Sequence, residues 1–281
     1  MKKLLSSFLI ILVTVTLAQD FDVQMIDSTR AVLETPESVN FDPVRDYLFV
    51  SNIGANPSAK DGKGFISIID KKGNIVEKKW VTGLNAPKGA GIHGNILYVT
   101  DIDRIVGINI DSAKVEETYS CSQAEFLNDL AIDPNGVIYF SDSSPENSIV
   151  YRLKNRKIEK WLHGEQVSQP NGLLIHAGFL YFGNSGDQKI KRANLETGQI
   201  EMVAKTGTGI DGLKIDHQGN FIISNWRGQT TLITPEGNQK VLLNTTQEGI
   251  NAADLEYIPA ERLLFIPTFH DDRVMIYKIN Y

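Results

Sequence analysis

The sequence predicts an all-β ring, a six-bladed β-propeller built of four-stranded blades. Three observations predict it. A short motif that opens an apolar strand recurs six times, at steps of 51, 40, 43, 40 and 42 residues, the length of a four-stranded blade. Short segments rich in Val, Ile, Phe and Tyr alternate with turns rich in Gly, Asn and Asp. No sustained apolar stripe at i, i+3, i+4, i+7 offers a helical repeat instead.

The motif aligns on itself. Asn128-Asp129-Leu130-Ala131-Ile132 lies over Asn171-Gly172-Leu173-Leu174-Ile175 and Asp211-Gly212-Leu213-Lys214-Ile215. Weaker copies begin at Glu37, Lys88 and Ala253. The first full repeat turns at Lys71-Lys72-Gly73, the third at Asp133-Pro134-Asn135-Gly136, and the fifth at Pro235-Glu236-Gly237. In the third, Val137 to Phe140 reads as the second strand. The fourth reads as strands Gly172–His176, Phe179–Phe182, Gln188–Asn194 and Gln199–Ala204. The last offers only three, Ala253–Ile258, Leu263–Pro267 and Arg273–Ile279. Asp22–Ile26 is expected to supply its fourth and close the ring, removing the exposed edges of an open array. Ile53–Lys63 is an insertion, expected as a loop beside the pore.

The N-terminus reads differently. Lys2 and Lys3 precede an apolar run from Leu4 to Leu17, and Thr16-Leu17-Ala18 offers small residues for cleavage. This is the layout of a secretory signal peptide, too short for a membrane anchor. Residues 1–18 are therefore expected to be removed, leaving one propeller domain over 19–281, exported to the periplasm or medium. Losing two lysines takes the net charge from −6 to −8, and no basic cluster suggests nucleic acid as a partner. The mature chain has no transmembrane segment in its sequence and is expected to act as a monomer on a small molecule. Cys121 is the single cysteine, so no internal disulfide forms. Asn244-Thr245-Thr246 is a glycosylation sequon.

In a propeller the first strand of each blade lines the central channel, so the motif's opening residues converge on the axis. Glu37, Asn128, Asn171 and Asp211 carry side-chain oxygens, a hard donor set suited to calcium. Charged groups on the axis are costly unless coordinated or paired. Lys88 and Ala253 depart from the pattern. Lys88 is expected to turn aside, pair with a carboxylate such as Asp101, or bind an anionic substrate group.

Thr35-Pro36-Glu37, Phe126-Leu127-Asn128-Asp129, Gln169-Pro170-Asn171-Gly172 and Ile210-Asp211-Gly212-Leu213 resemble the metal-binding motifs of the senescence marker protein/gluconolactonase family. That family of six-bladed propellers includes regucalcin-like lactonases and is distantly similar to squid-type fluorophosphatase and the paraoxonases. The resemblance implies one Ca2+ or other divalent ion held by Glu37, Asn128, Asn171 and Asp211. Phe269-His270-Asp271-Asp272-Arg273-Val274 is similar to a fluorophosphatase segment that places a His at the pocket wall.

A second set of polar residues follows the second strand of each blade, among them Asp101, Asn184 and Asn225, with Trp226 beyond. These are expected to rim the same mouth, with Lys88, Asp101, Asn128, Asn184 and Trp226 contacting substrate. The expected chemistry is metal-assisted hydrolysis of a small lactone or related ester, the metal polarising the carbonyl. Asp211 would be general base or nucleophile, and His270 a proton carrier or pocket wall. The alternatives are an organophosphate-type esterase on the same site and a non-catalytic binding propeller. No nucleophile elbow, phosphate loop or dinucleotide fingerprint is present.

Overall fold

The computed structural model describes residues 21–281; the leader assigned to residues 1–18 lies outside them. Six four-stranded antiparallel sheets succeed one another along the chain. The innermost strands are β2 (Pro36–Asp42), β6 (Pro87–His93), β10 (Leu127–Ile132), β14 (Pro170–His176), β18 (Leu213–Ile215) and β22 (Glu256–Ile258). Each pairs with a second strand: β3 (Tyr47–Asn52), β7 (Ile96–Asp101), β11 (Ile138–Asp142), β15 (Phe179–Asn184), β19 (Phe221–Asn225) or β23 (Leu263–Pro267). In the third blade the second strand thus starts one residue later than the sequence suggested and runs two further.

The last sheet has the order β1-β24-β23-β22, with β1 (Asp22–Ser28) on the outside of β24 (Val274–Asn280). The N-terminal strand therefore closes the ring, as the missing fourth strand required. A second contact closes it on the inside. The Asp254 N–H donates to the Glu37 carbonyl at 3.0 Å, and Ser38 and Asp254 form a parallel bridge. β22 starts only at Glu256: Ala253 still bonds to Pro267 of β23, but the Asp254 N–H is given to Glu37 of the first blade. The seam is packed by Leu33, Val39, Leu48, Val50 and Ile69 from one side and Leu263, Phe265, Val274 and Ile276 from the other.

Two devices fix the inner strands. In the first four blades the pairing register shifts at the motif, between Pro36/Ser38, Pro87/Ala90, Leu127/Leu130 and Asn171/Leu173. Such a bulge adds a residue and re-aims its neighbours. Hydroxyls then staple blades to their successors: Ser38 Oγ donates to the Lys88 carbonyl at 2.8 Å, Ser224 Oγ to the Ala253 carbonyl at 2.7 Å, and Thr100 Oγ1 to that of Asn128.

Phe265 lies fully buried at the seam. Phe265→Ala is expected to cost about 3–5 kcal/mol of stability, read from the urea midpoint. A loss under about 1 kcal/mol would mean the seam does not hold the ring.

Candidate metal and substrate site

The six opening residues meet at one mouth of the channel. Glu37, Lys88, Asn128, Asn171 and Asp211 all line a cavity of about 440 Å³, while Ala253 packs behind it against Ile53, Ala86 and Phe269. The four oxygen-bearing side chains are each at most 8% exposed. Asn171 Nδ2 donates to Asp211 Oδ1 at 2.7 Å, and its Oδ1 accepts from the Gly172 N–H at 2.9 Å. Glu37 Oε2 is buried with no hydrogen-bond partner, an expensive state for a carboxylate oxygen.

Beneath this layer lies a second, whose Asp129, Lys214 and Glu256 the sequence reading did not single out as a site. Asp129 and Asp254 follow motif-opening positions; Lys214 and Glu256 lie three residues beyond them. Asp129, Asp254 and Glu256 are buried and Lys214 is half-buried. Lys214 Nζ sits 3.6 Å from Glu256 Oε2. Asp129 accepts from the Leu130 N–H at 2.6 Å and the Leu173 N–H. Glycine makes room for these acids. A Cβ at Gly89 would lie 2.4 Å from Asp129 Oδ1, and one at Gly212 would lie 2.8 Å from Asp254 Oδ1. The signal for this layer was present in the aligned repeats, as charged residues on inner strands of neighbouring blades. In the third blade the register shift at the motif places Asp129 beside Asn128 on the inner strand, so simple alternation hides it.

The residues at the ends of the second strands do something other than rim the cavity. Asp101 is fully buried and accepts from the Asn85 and Ala86 N–H groups at 3.0 and 2.7 Å. Its other oxygen pairs with Arg104 at 2.7 Å. Asn184 Oδ1 accepts from the Ser168 N–H at 2.7 Å, and Asp142 from those of Glu125 and Phe126. Each anchors the loop that leads into its own blade's inner strand. Neither Asp101 nor Asn184 is among the residues lining the cavity.

With Asp101 taken by Arg104, Lys88 does not pair with it. The Lys88 ammonium donates to the Pro57 and Ala86 carbonyls at 3.1 and 3.4 Å and lies 4.4 Å from the Phe126 ring centre. Trp226 and His270 do reach the cavity. Trp226 stands edge-on to Phe269 at 5.5 Å and to His270 at 5.8 Å. Ile53, Ala55 and Pro57, from the long insertion, complete the wall. His93, His163, His176 and His217 are not among the lining residues.

Electrostatics set what this mouth can hold. Five buried carboxylates, Glu37, Asp129, Asp211, Asp254 and Glu256, face two lysines, Lys88 and Lys214. Burial raises Glu37 and Asp254 well above the ordinary carboxylate range, Asp211 adding to the first and Asp129 to the second. Burial likewise lifts Asp211 to about 7 and Asp129 to about 6. Lys88 is lowered by burial against the pull of Glu37. For Lys214 burial acts downward, but Glu256, Asp254 and Asp129 together raise it.

These residues fit a hard divalent cation. The orphaned Glu37 oxygen, the Asp211 carboxylate and two amides supply oxygen donors, and a cation would relieve the carboxylate excess. Among the described residues no group of three or more His, Cys, Asp or Glu side chains is placed to hold a metal. The amide oxygens of Asn128 and Asn171 are therefore required. For Asn171 this means turning the amide over, so that oxygen replaces the nitrogen now bonded to Asp211.

The sign of the pH dependence follows. An acid raised in the folded state favours folding below its unfolded pKa, and that contribution is lost as pH rises through the folded value. Chelator-stripped protein is therefore expected to lose melting temperature relative to Asp211→Asn between about pH 4 and pH 7. A constant difference across that range would contradict the assignment.

Solved structures share the fold. A catalytically inactive virginiamycin B lyase from Staphylococcus aureus, solved with quinupristin, aligns with TM-score 0.65 at 15% identity, covering 92% of this chain and 99% of that one. A structure named as a gluconolactonase aligns at 0.66 and 16% identity, covering 92% of each chain. A streptogramin B lyase aligns at 0.67 and 14%, covering 92% and 98%. No curated protein matches the chain. The sequence itself matches the SMP-30/Gluconolactonase/LRE-like region family over residues 66–248. With a match running from the outer half of the first blade through the fifth, more than half of the chain, the chain belongs to the SMP-30/gluconolactonase/LRE-like family.

Proposed function

We propose that this chain is an exported, calcium-dependent hydrolase of a small lactone or related ester. The observation that carries it is the buried Glu37 oxygen without a partner, beside Asp211 and two asparagines at the mouth of an open cavity. Export is supported by the Lys2–Ala18 leader pattern.

Glu37, Asn128, Asn171 and Asp211 would hold the ion, which when bound supplies Lewis-acid polarisation of a carbonyl oxygen. The chain's own residues supply the rest. Asp211 would hold the ion through one carboxylate oxygen, leaving the other to take a proton from an attacking water. The water oxygen bonds to the acyl carbon, the acyl C–O bond breaks, and the proton returns to the leaving alkoxide, giving a hydroxy acid. His270, at the cavity edge, is placed to carry that proton. The edge-on Trp226–Phe269 pair lines one side of the site.

Metal analysis of purified protein, coupled to hydrolysis of a lactone and ester panel with and without chelator, tests the reading. Bound calcium and chelator-sensitive hydrolysis are expected, and Asp211→Ala should lower kcat by about 10²–10⁴-fold. Full activity in Asp211→Ala would remove the mechanism. Bound metal without hydrolysis would favour a binding propeller, the reading that Lys88 in the metal column supports.

A further inference from the structure

The cavity has a polar floor and an apolar wall, and Lys88 stands where they meet. Around the floor of motif residues the wall is Ile53, Ala55, Pro57, Phe126, Trp226 and Phe269. A sugar lactone would set its hydroxyls against this carbon surface without partners, at the cost of their lost hydrogen bonds to water. An aromatic or branched aliphatic body would instead gain contact. Trp226, 43% exposed at the mouth, offers it a ring face or edge.

Lys88 is 2% exposed, and no described carboxylate lies within ion-pair distance of it. An ammonium has three donors, and here they meet only the Pro57 and Ala86 carbonyls and the Phe126 ring. A buried cation so held is under-compensated. An anion arriving in the cavity would complete its shell with a charge-assisted hydrogen bond. Lys88 belongs to the second blade and Trp226 to the fifth, so the cation and the exposed indole face each other across the ring.

Building on the hydrolase reading, we propose that the substrate is an amphipathic anion. It is a lactone or ester with an aromatic or branched aliphatic body against Trp226 and Phe269, and a carboxylate, remote from the scissile carbonyl, on Lys88. Lys88 then selects the substrate.

The calcium-loaded full chain should be assayed with dihydrocoumarin, its 6-carboxylate and glucono-δ-lactone. The carboxylate is expected to exceed the neutral parent in kcat/KM by about 10-fold or more, with glucono-δ-lactone the poorest. In Lys88→Met and Lys88→Gln the carboxylate-to-parent ratio should fall to about 1 or below, chiefly through KM. A ratio near 1 in the wild type, or one unchanged in both variants, overturns the proposal. If no lactone or ester is hydrolysed, the hydrolase reading fails by itself, and calorimetry decides the ligand class. Tighter binding of 3-phenylpropanoate than of 3-phenylpropan-1-ol, lost in both Lys88 variants, supports it; equal binding overturns it.

Discussion

The cost of gathering carboxylates on a buried axis governs this molecule. Glu37 and Asp211 share the mouth, with Asp129, Asp254 and Glu256 below them. Lys214 compensates the lower layer directly, through Glu256 and the fields of Asp254 and Asp129. It is a cation built into the chain. Lys88 does not do the same for the upper layer, because its ammonium is turned to two carbonyls and a ring rather than to Glu37. The lower layer thus has one internal cation against three acids, while the upper layer keeps an anionic surplus and an orphaned oxygen. A divalent cation answers both deficits.

Such crowding persists only if the backbone forces it. Ser38 on the first inner strand and the Ser, Thr, Asp and Asn side chains at the ends of second strands supply that force. Hydroxyls bind the next blade's motif carbonyls, and carboxylates or amides bind the loops that lead into each inner strand. In the third blade the register shift at the motif then places Asn128 and Asp129 side by side on the inner strand. Ring closure completes the constraint, since Glu37 is tied by its own carbonyl to Asp254 of the last blade. The energy that holds the site comes from ladders and apolar seams remote from it, a common arrangement for strained functional groups.

Much of this could be read from the chain. The six-blade ring follows from the 42-residue period, and the closing strand follows from a last repeat that lacks one. The motif column marked the mouth because register in a repeat fold converts sequence position into spatial position. Where that conversion fails, so does the reading. Asp101 and Asn184 share one polar pattern with a pocket rim, and only the fold shows their loops bending back to claim them. Asp129 stayed hidden because a bulged strand breaks the alternation that separates inward from outward residues, and Lys214 and Glu256 lie three residues past the motif column that was read. The Ile53–Lys63 insertion does lie beside the pore, as expected, but that Ile53, Pro57, Phe126 and Phe269 join into one apolar wall is seen only in the fold.

Calorimetric titration of calcium into chelator-stripped protein tests the central claim most directly. The account predicts saturable binding of one calcium per chain at pH 8, weakened at pH 5 and abolished in a Glu37→Gln/Asp211→Asn double variant. Absence of binding at pH 8, or binding that survives loss of both carboxylates, would contradict it.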